Sequence, residues 1–404
     1  MSDTIAVTGI GLVTPAGVGA DVTWEGVRAG GPTARTDPSL NVGPVTMSCR
    51  VPPLEPGPGR LWRFDPGTRF LLTAAREALA TARLDPADWD AARVAVVVGT
   101  AAGGVGTLET QHRKLLSGGY GAVSPMTLPA YLPNMAAGHL ALELGVTGPA
   151  LQTSTACASG ATALITAGLL LETGACDIAL AGGTDAMVTP LCAAAFARMG
   201  ALSLRNEDPG SASRPFDGDR DGFVLGEGCG MLVLERGRHA AARAARPLAL
   251  LVGHGTTSDA HHPTAPHPDG AGLRAATVAA LGKAGAGRDE VDHVNAHGTS
   301  TPLNDRVEAT VIRDFYPGRP PSVTAAKGAL GHTMGAAGAI EAALTVLTVA
   351  HGLVPPTAGF TTPDDATAGI DIVTTRCRPQ NVRLALSHSL GFGGHNTVLA
   401  FAAP

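Results

Sequence analysis

Lysine, aromatic residues and charge are all scarce in this chain of 404 residues. Charged side chains make up 16% of the sequence and aromatic side chains 4%, and lysine occurs only at Lys114, Lys283 and Lys327. The formal net charge is −5, so the composition gives no indication of a nucleic-acid-binding surface. The low charge and the 53 glycines indicate instead a large core of closely packed helices and sheets.

The cysteines show neither a C-x-x-C pair nor the spacing of metal ligands, which argues against a disulfide scaffold or a structural zinc site. The N-terminal residues pass directly into a strand pattern without a basic segment, and no uninterrupted apolar run has the length needed to span a bilayer. We therefore expect a cytoplasmic location. The six cysteines are Cys49, Cys157, Cys176, Cys192, Cys229 and Cys377.

Short apolar segments that end in glycine alternate with helical patterns along the chain. Segments 4–11, 93–99 and 177–183 are of this kind and predict buried strands, whereas segment 117–133 is predicted to be irregular. The alternation is typical of an α/β fold whose sheets are covered by helices. Because the order of strand, turn and helix recurs after residue 248, we expect two similar halves, 1–247 and 248–404.

One thiol lies at a predicted strand–turn–helix junction. Residues 153–160 follow an apolar approach and precede a helical pattern over 159–171, which places Cys157 at the turn. A helix N-terminus favours thiolate over thiol, and small neighbours such as Gly160 let a carbonyl group approach the backbone. A lone cysteine is more often a small buried hydrophobe, so its partners decide between the two interpretations.

Two histidines occupy comparable glycine-flanked turns in the second half. His297 follows a predicted buried strand, and His332 precedes a helical pattern. Neutral imidazole N–H groups at such turns can donate to a developing oxyanion, although each histidine alone is more often structural. Lys327 and Glu341 are placed to form either a functional pair or a plain structural ion pair. A metal site is disfavoured because the spacing of ligands is absent.

These residues lie in motifs that resemble the elongating β-ketoacyl-[acyl-carrier-protein] synthases, the condensing enzymes of fatty acid and polyketide synthesis. The resemblance covers nearly the whole chain and implies the thiolase fold, a duplicated five-layered αβαβα core, usually as a dimer. The motifs occur in the family's order, at Thr155-Ala-Cys157-Ala-Ser-Gly, Arg214-Pro-Phe-Asp with Arg220-Asp-Gly-Phe-Val, Asn295-Ala-His297-Gly-Thr-Ser-Thr-Pro302, Lys327 through Gly331-His332 to Glu341, and Gly391-Phe-Gly-Gly394.

The resemblance implies a decarboxylative Claisen condensation between an acyl group held on Cys157 and malonyl-acyl-carrier protein. His297 and His332 would stabilise the enolate, Lys327 and Glu341 would organise the site, and backbone N–H groups of Cys157 and Phe392 would form the oxyanion hole. Cys157 would belong to the 1–247 half, with dimerisation and cap insertions, and both histidines to the 248–404 half. The chain itself would bind no cofactor, because the carrier protein brings the phosphopantetheine arm.

The family pattern also implies which residues contact the substrate and the carrier protein. Phe392 matches a mobile gate beside the cysteine. Ala102 stands where fatty-acid enzymes typically have a bulky isoleucine, which suggests a wider acyl pocket, and His395 stands where the family usually has threonine. Pantetheine and acyl contacts are expected at Thr299, Thr301, Thr264, Ala102, Gly391 and Gly393. Contacts with an acidic carrier protein are expected at Arg60, Arg63, Arg69 and Arg205. The alternative is that these arginines simply belong to a solvated surface.

These departures favour the ketosynthase of a type II polyketide system, as a homodimer or as a heterodimer with a chain-length-factor homologue. Primary fatty-acid elongation is the alternative. A non-catalytic chain-length factor is disfavoured because such subunits typically lack the cysteine. Starter-type condensing enzymes and thiolases use Cys–His–Asn or Cys–His–Cys sets, whereas His332 supports the Cys–His–His class. A cysteine-dependent thioesterase would hydrolyse the acyl thioester without releasing carbon dioxide.

Overall fold

The computed structural model describes residues 4–41, 43–54 and 64–404. Its strands are β1 (Ile5–Thr14), β2 (Gly17–Val18), β3 (Arg35–Thr36), β4 (Met47–Ser48), β5 (Val94–Gly99), β6 (Ala150–Thr153), β7 (Ile178–Asp185), β8 (Gly228–Arg236), β9 (Ala249–Ser258), β10 (His293–Asn295), β11 (Ser322–Thr324), β12 (Leu353–Val354), β13 (Asp371–Ile372), β14 (Arg378–Pro379), β15 (Leu384–Gly391) and β16 (His395–Ala402). Its helices are α1 (Ala20–Arg28), α2 (Pro66–Ala82), α3 (Val105–Gly118), α4 (Thr127–Tyr131), α5 (Met135–Leu144), α6 (Ser159–Glu172), α7 (Pro190–Arg198), α8 (Gly237–Ala242), α9 (Ala271–Ala284), α10 (Pro302–Phe315), α11 (Lys327–Leu330) and α12 (Ala337–His351).

One strand order occurs twice in the central sheet. From its middle, the order β1-β8-β7-β5-β6 runs to one edge, and β9-β16-β15-β10-β11 runs the other way, with β13 added outside β11. In each run the first two pairings are antiparallel and the next two are parallel. The antiparallel pair β1–β9 joins the two runs. We propose that the chain divides here into the halves 1–247 and 248–404.

Strand residues alternate between two cores, which produces five layers. In β5, Val94, Val96 and Val98 pack toward α2 and α5, whereas Ala95 and Val97 pack toward the central helices α6 and α12. In the second run, β15 and β16 divide their side chains in the same way between the central helices and α9. Alternate side chains of a strand point to opposite faces, so strands covered on both sides must be apolar throughout. The predicted α/β thiolase fold with five layers is confirmed.

The two central helices cross at a pair of glycines. A Cβ atom built on Gly160 would lie 2.8 Å from the Ala339 nitrogen, and one on Gly338 would lie 2.9 Å from the Ala161 nitrogen. Only glycine allows the two helix backbones to approach so closely. The reciprocal contact also relates the helix that follows Cys157 to the helix that follows His332.

The segment Met334–His351 lies largely inside the protein. By length and composition it could cross a membrane, with 18 residues and a mean hydropathy of 1.4, but 89% of it is buried inside the protein. This burial is that of a core helix, which must be apolar on all sides because sheet and helix surround it.

The chain between β5 and β6 is also more regular than its sequence predicts. Segment 117–133 was expected to be irregular, but it includes the end of α3 and all of α4. Exposed apolar side chains on these helices hide the usual helical pattern of one apolar and one polar face.

Candidate active site

Cys157 lies in a single 3₁₀ turn, Ala156–Ala158, between β6 and the start of α6. Ala156 has a positive φ of 50°, a strained conformation for a residue with a side chain. The end of β15 packs directly on this turn, since a Cβ atom on Gly391 would lie 2.3 Å from the Thr155 carbonyl oxygen and 3.3 Å from the Cys157 nitrogen. Glycine at position 391 is therefore required for the thiol turn and the final loop to meet.

Burial controls the charge of the thiol. It raises the pKa of Cys157 to about 11, although the Lys327 ammonium and a hydrogen bond from the Phe392 backbone N–H act to lower it. The expectation that the helix N-terminus favours a thiolate is therefore not met, because desolvation outweighs it. At neutral pH Cys157 is a thiol, and its sulfur loses the proton only as it reacts.

Lys327 fixes the position of His297 through hydrogen bonds. Its ammonium donates to the His297 carbonyl oxygen at 2.6 Å, to His297 Nδ1 at 3.2 Å and to Glu341 Oε1 at 2.5 Å. An ammonium has donors only, so Nδ1 must accept and Nε2 of the neutral ring carries the proton. Lys327 and Glu341 are both 2% exposed, so this is a buried ion pair in direct contact with an imidazole.

His332 has the same tautomer for a different reason. The backbone N–H of Met334 donates to His332 Nδ1 at 3.2 Å, which leaves the proton on Nε2. The His332 ring lies 5.6 Å from the His297 ring, nearly perpendicular at 84°, and its other side contacts the edge of Phe223. Both rings line one cavity together with Cys157.

Both imidazoles are neutral at physiological pH. Burial is the main cause that holds the pKa of His297 and of His332 well below 6.5, and the Lys327 charge lowers both further. A neutral imidazole with its proton on Nε2 donates one hydrogen bond and carries no charge of its own. Two such donors that face one cavity can stabilise an oxyanion or enolate formed within it.

Two acidic residues of α10 hold the loop that carries His297, and sequence reasoning did not identify them. Glu308 accepts from the backbone N–H groups of His297 and Gly298, both at 2.8 Å. Asp305 accepts from the Ser300 N–H at 3.0 Å, and burial raises its pKa to about 6. Their position near the start of a helix that directly follows the histidine motif is the signal that could have indicated them.

The cavity above Cys157 measures about 350 Å³ and contains most of the predicted contact residues. Thr299 and Thr301 form a hydroxyl pair 2.9 Å apart on one wall, and half-buried Phe392 lies 6.2 Å from the Phe196 ring on another. The predicted residues that line the cavity are Cys157, His297, His332, Thr264, Thr299, Thr301, Gly391 and Phe392.

Several predicted contact residues lie elsewhere. Ala102 and Gly393 do not line this cavity, and Ala102 is half-buried in the loop after β5. Arg69 lies on α2, and half-buried Arg205 donates to the Asp219 carbonyl oxygen at 2.8 Å. The remaining two carrier-protein candidates, Arg60 and Arg63, lie outside the described residues.

A larger hollow of about 990 Å³ lies at the opposite end of the sheet, where β5 and β7 begin. It is lined by charged and titratable side chains such as Arg93, Asp177 and His239. None of the predicted catalytic or substrate-contact residues lines it. Within residues 4–41, 43–54 and 64–404, no three His, Cys, Asp or Glu side chains are placed to hold a metal ion.

The comparisons with known proteins agree with this geometry. Residues 55–240 match the model of the β-ketoacyl synthase N-terminal domain, and residues 248–361 match that of the C-terminal domain. The chain is 40% identical over 407 aligned residues to the 3-oxoacyl-[acyl-carrier-protein] synthase 2 of Synechocystis, covering 98% of this chain and 97% of that protein.

Solved structures give the same result. The ishigamide ketosynthase/chain length factor superimposes with a TM-score of 0.93 at 33% identity, covering 100% of both chains. A type II polyketide ketosynthase in complex with its acyl-carrier protein, bound to the hexaketide, gives 0.94 at 29% identity, also over 100% of both chains. This chain belongs to the β-ketoacyl synthase family. It is a condensing enzyme and an acyltransferase, as its sequence motifs implied.

Proposed function

We propose that this chain joins an acyl group held on Cys157 to a two-carbon unit from malonyl-acyl-carrier protein, with release of carbon dioxide. The product is a β-ketoacyl-acyl-carrier protein. The observation that carries the proposal is the shared tautomer of His297 and His332. Donors at both Nδ1 atoms leave two neutral Nε2–H groups at the cavity that also holds the thiol.

The first half-reaction loads the thiol. The Cys157 sulfur attacks the thioester carbonyl, and the thiol proton leaves with the pantetheine sulfur of the departing carrier protein. The backbone N–H groups of Cys157 and Phe392 receive the charge on the carbonyl oxygen. This role is supported by the hydrogen bond that the Phe392 N–H already makes with the Cys157 sulfur.

The second half-reaction forms the new carbon–carbon bond. The malonyl unit loses carbon dioxide, the electron pair of the broken bond forms an enolate, and His297 and His332 stabilise its oxygen. The enolate carbon attacks the acyl carbonyl, the bond to Cys157 breaks, and the departing thiolate takes up a proton from solvent. Lys327 and Glu341 act as positioning residues, because the ammonium keeps the His297 proton on Nε2.

The phosphopantetheine arm enters with the carrier protein, so the chain needs no cofactor of its own in this proposal. Thr299, Thr301 and Thr264 lie on the cavity wall and can donate to the amide groups of the arm. Phe392 lines the same cavity, and its backbone N–H contacts the Cys157 sulfur, which supports its proposed role as a gate. Arg205 follows the cavity residues Met199–Ala201 by four positions, and we propose it as a contact for an acidic carrier surface.

A second subunit is part of the proposal. Strand β6 is an edge of the sheet, and its residues Ala150 and Leu151 are exposed. An open edge with apolar side chains favours pairing with another strand. We propose that a second copy of this chain covers it, with a cysteine-less chain-length factor as the other outcome of the test. Exposed apolar neighbours on α3, α4 and α5 are Leu108, Leu115, Leu116, Leu128 and Leu142.

For the pathway, we propose a type II polyketide system, supported by the small side chains Ala101 and Ala102 in the loop after β5 and by the similarity to polyketide ketosynthases at 29–33% identity. Fatty-acid elongation is the second candidate, favoured by the 40% identity to 3-oxoacyl-[acyl-carrier-protein] synthase 2. A cytoplasmic location belongs to the same proposal, supported by six cysteines that are all free thiols.

The proposal is tested by following both half-reactions in the purified chain, alone and with homologous subunits from its genome. Acyl loading from a panel of acyl-carrier proteins and carbon dioxide release from malonyl-carrier protein are measured for wild type and Cys157→Ala. We expect loading only in the wild type, and carbon dioxide release coupled to product. Acyl hydrolysis without carbon dioxide release would indicate a thioesterase and contradict the proposal. Saturated acyl groups on a homodimer would assign fatty-acid elongation.

A further inference from the structure

Asp185 at the end of β7 is a buried carboxylate that no step above uses. It is 1% exposed and joins two segments far apart in the sequence. Oδ2 accepts from the Gly335 N–H at 2.7 Å and from the Ala101 N–H at 2.8 Å. Oδ1 accepts from the Thr100 hydroxyl at 2.6 Å. One side chain thus fastens the loop after β5 to the turn that follows His332.

The turn that Asp185 holds is the counterpart of the turn that carries Cys157. Gly335 precedes Gly338 by three residues, just as Cys157 precedes Gly160, and these two glycines form the reciprocal helix crossing. Both turns are strained at the preceding residue, with a φ of 50° at Ala156 and 53° at Met334. Strain of this kind costs energy and persists only where the surroundings hold the backbone in place.

The two halves stabilise this strained turn differently. The strand that packs on the Cys157 turn ends in Gly391, whose missing side chain leaves room beside the Cys157 amide for a substrate oxygen. At the corresponding position in the other half stands Asp185, and its carboxylate oxygen lies 2.7 Å from the Gly335 nitrogen. At the Gly335 turn, the Asp185 carboxylate therefore occupies the position that a substrate oxygen would occupy at the Cys157 turn.

We propose that Asp185 is a positioning residue for His332 in the decarboxylation step. The Gly335 amide adjoins Met334, whose own N–H donates to His332 Nδ1 and sets the tautomer of the ring. If the Gly335 amide loses its acceptor, the strained turn relaxes and the Met334 donor moves away from His332. The inference rests on the proposed function, because it assigns Asp185 to one of the two half-reactions.

Asp185→Asn is the sharpest test, because the amide has nearly the shape of the carboxylate but lacks its charge and replaces one of the two acceptor oxygens by an N–H donor. Asp292→Asn is the matched control. Asp292 is also buried, and it accepts from the Arg383 N–H at 2.8 Å at the far end of β10. In each variant of the full-length protein, the rate of acyl loading on Cys157 and the rate of carbon dioxide release from malonyl-carrier protein are measured separately.

We expect the ratio of carbon dioxide release to acyl loading to fall about tenfold in Asp185→Asn and to stay unchanged in Asp292→Asn. A smaller active fraction would lower both rates equally and leave the ratio constant. Because the Asp185 charge also acts on Cys157, the rate of carbon dioxide release itself must fall, and a ratio lowered only by faster loading would count against the inference. If Asp185→Asn does not fold, Thr100→Val removes the hydroxyl that donates to Asp185 and accepts from the Gly103 N–H, and the ratio should fall about threefold. An unchanged ratio in the folded variant overturns the inference. A wild type without carbon dioxide release would instead overturn the proposed function.

Discussion

Cys157 combines a reactive role with an environment that suppresses ionisation. Burial raises its pKa to about 11, and the nearby carboxylates of Asp185 and Glu341 act in the same direction. The thiol therefore stays neutral until a thioester fills the cavity and the backbone N–H groups can share the charge. This protects the thiol from small electrophiles and oxidants, since both react with the thiolate.

The first prediction concerns the pH dependence of this thiol. Thiolate is the deprotonated form, so the rate of iodoacetamide labelling at Cys157 should rise about tenfold per unit from pH 7 to pH 10, without a plateau. Intact-protein mass spectrometry measures the rate, and a Cys157→Ser variant corrects for the other cysteines. The labelling rate of a peptide thiol with an ordinary pKa of about 8.5 levels off in this range. A plateau below pH 9 at Cys157 would show that burial does not control its ionisation.

The second prediction concerns the buried pair of Lys327 and Glu341. Burial raises the pKa of Glu341 to about 7 although Lys327 acts to lower it, so Lys327→Met leaves a buried carboxyl without its partner and should lower the free energy of unfolding by about 3–5 kcal/mol. The double variant Lys327→Met/Glu341→Gln removes both charges and should recover most of that loss. Urea unfolding measures the stabilities. Equal destabilisation of the single and double variants would mean that the lost contacts to His297, and not the unpaired charge, dominate.

Catalytic activity should separate from stability in the same two variants. Both lack the ammonium that donates to His297 Nδ1, so the His297 proton is no longer held on Nε2. We therefore expect carbon dioxide release to remain low in the stable double variant. Recovered activity would argue that Lys327 has no positioning role.

At the scale of elements, the site depends on how closely two helices approach. Cys157 precedes α6 and His332 precedes α12, and the glycine crossing of these helices sets the distance between the two turns. The crossing is close to both N-termini, so a small displacement there moves the thiol relative to the imidazole. The exposed apolar residues of α3 and α4 belong to a different surface and do not take part in the helix crossing.

The third prediction tests the crossing. In Gly160→Ala the new methyl group would lie 2.8 Å from the Ala339 nitrogen, so the helices must separate, at a cost of about 1–3 kcal/mol. Gly282→Ala on the exposed face of α9 is the control, because no atom lies within 4 Å of the new methyl group and alanine is the better helix former. Thermal unfolding and acyl loading should be impaired only in Gly160→Ala. Equal behaviour of the two variants would contradict close packing at this crossing.

At the scale of the whole molecule, the sheet has one open edge with apolar surroundings. Leu151 on β6 is 40% exposed, and Tyr120 beyond α3 is 92% exposed. The loop after β5 reaches toward this region, because the Gly104 N–H donates to the Tyr131 carbonyl oxygen at 3.0 Å. A second subunit on this face would therefore lie near the loop after β5, which contains Ala102.

The fourth prediction tests the proposed subunit face. Leu151→Arg places a charge on the open edge, and we expect the assembly to dissociate with a dissociation constant raised about tenfold or more. Native mass spectrometry gives the oligomeric state. Val278→Arg on the outer face of α9, 54% exposed in the wild type, serves as the control and should leave the assembly unchanged. Dissociation by Val278→Arg alone would show that the subunit face lies on the α9 side of the molecule.

The local sequence pattern was sufficient for the elements that are buried on both sides. Strands β5 and β7 and the helices after Cys157 and His332 lie where their apolar segments and glycines predicted, because full burial leaves an unmistakable run of apolar residues. Helices α3 and α4 were missed because their exposed apolar residues hide the pattern of one apolar and one polar face. Asp185 was missed because a single acidic residue at a strand end has no distinguishing local pattern.

The chemical identity of the site residues is a property of the sequence, since the thiol, the two imidazoles and the lysine each lie in a recognisable motif. Their mutual geometry is decided by tertiary structure. Cys157 and Lys327 are far apart in the sequence, and only the central sheet and the crossed helices bring them together. The neutral thiol, the shared histidine tautomer and the Asp185 contact all depend on burial and on donors remote in the sequence. Such long-range contacts leave no trace in local periodicity, and burial reverses the ionisation that a helix N-terminus alone would favour.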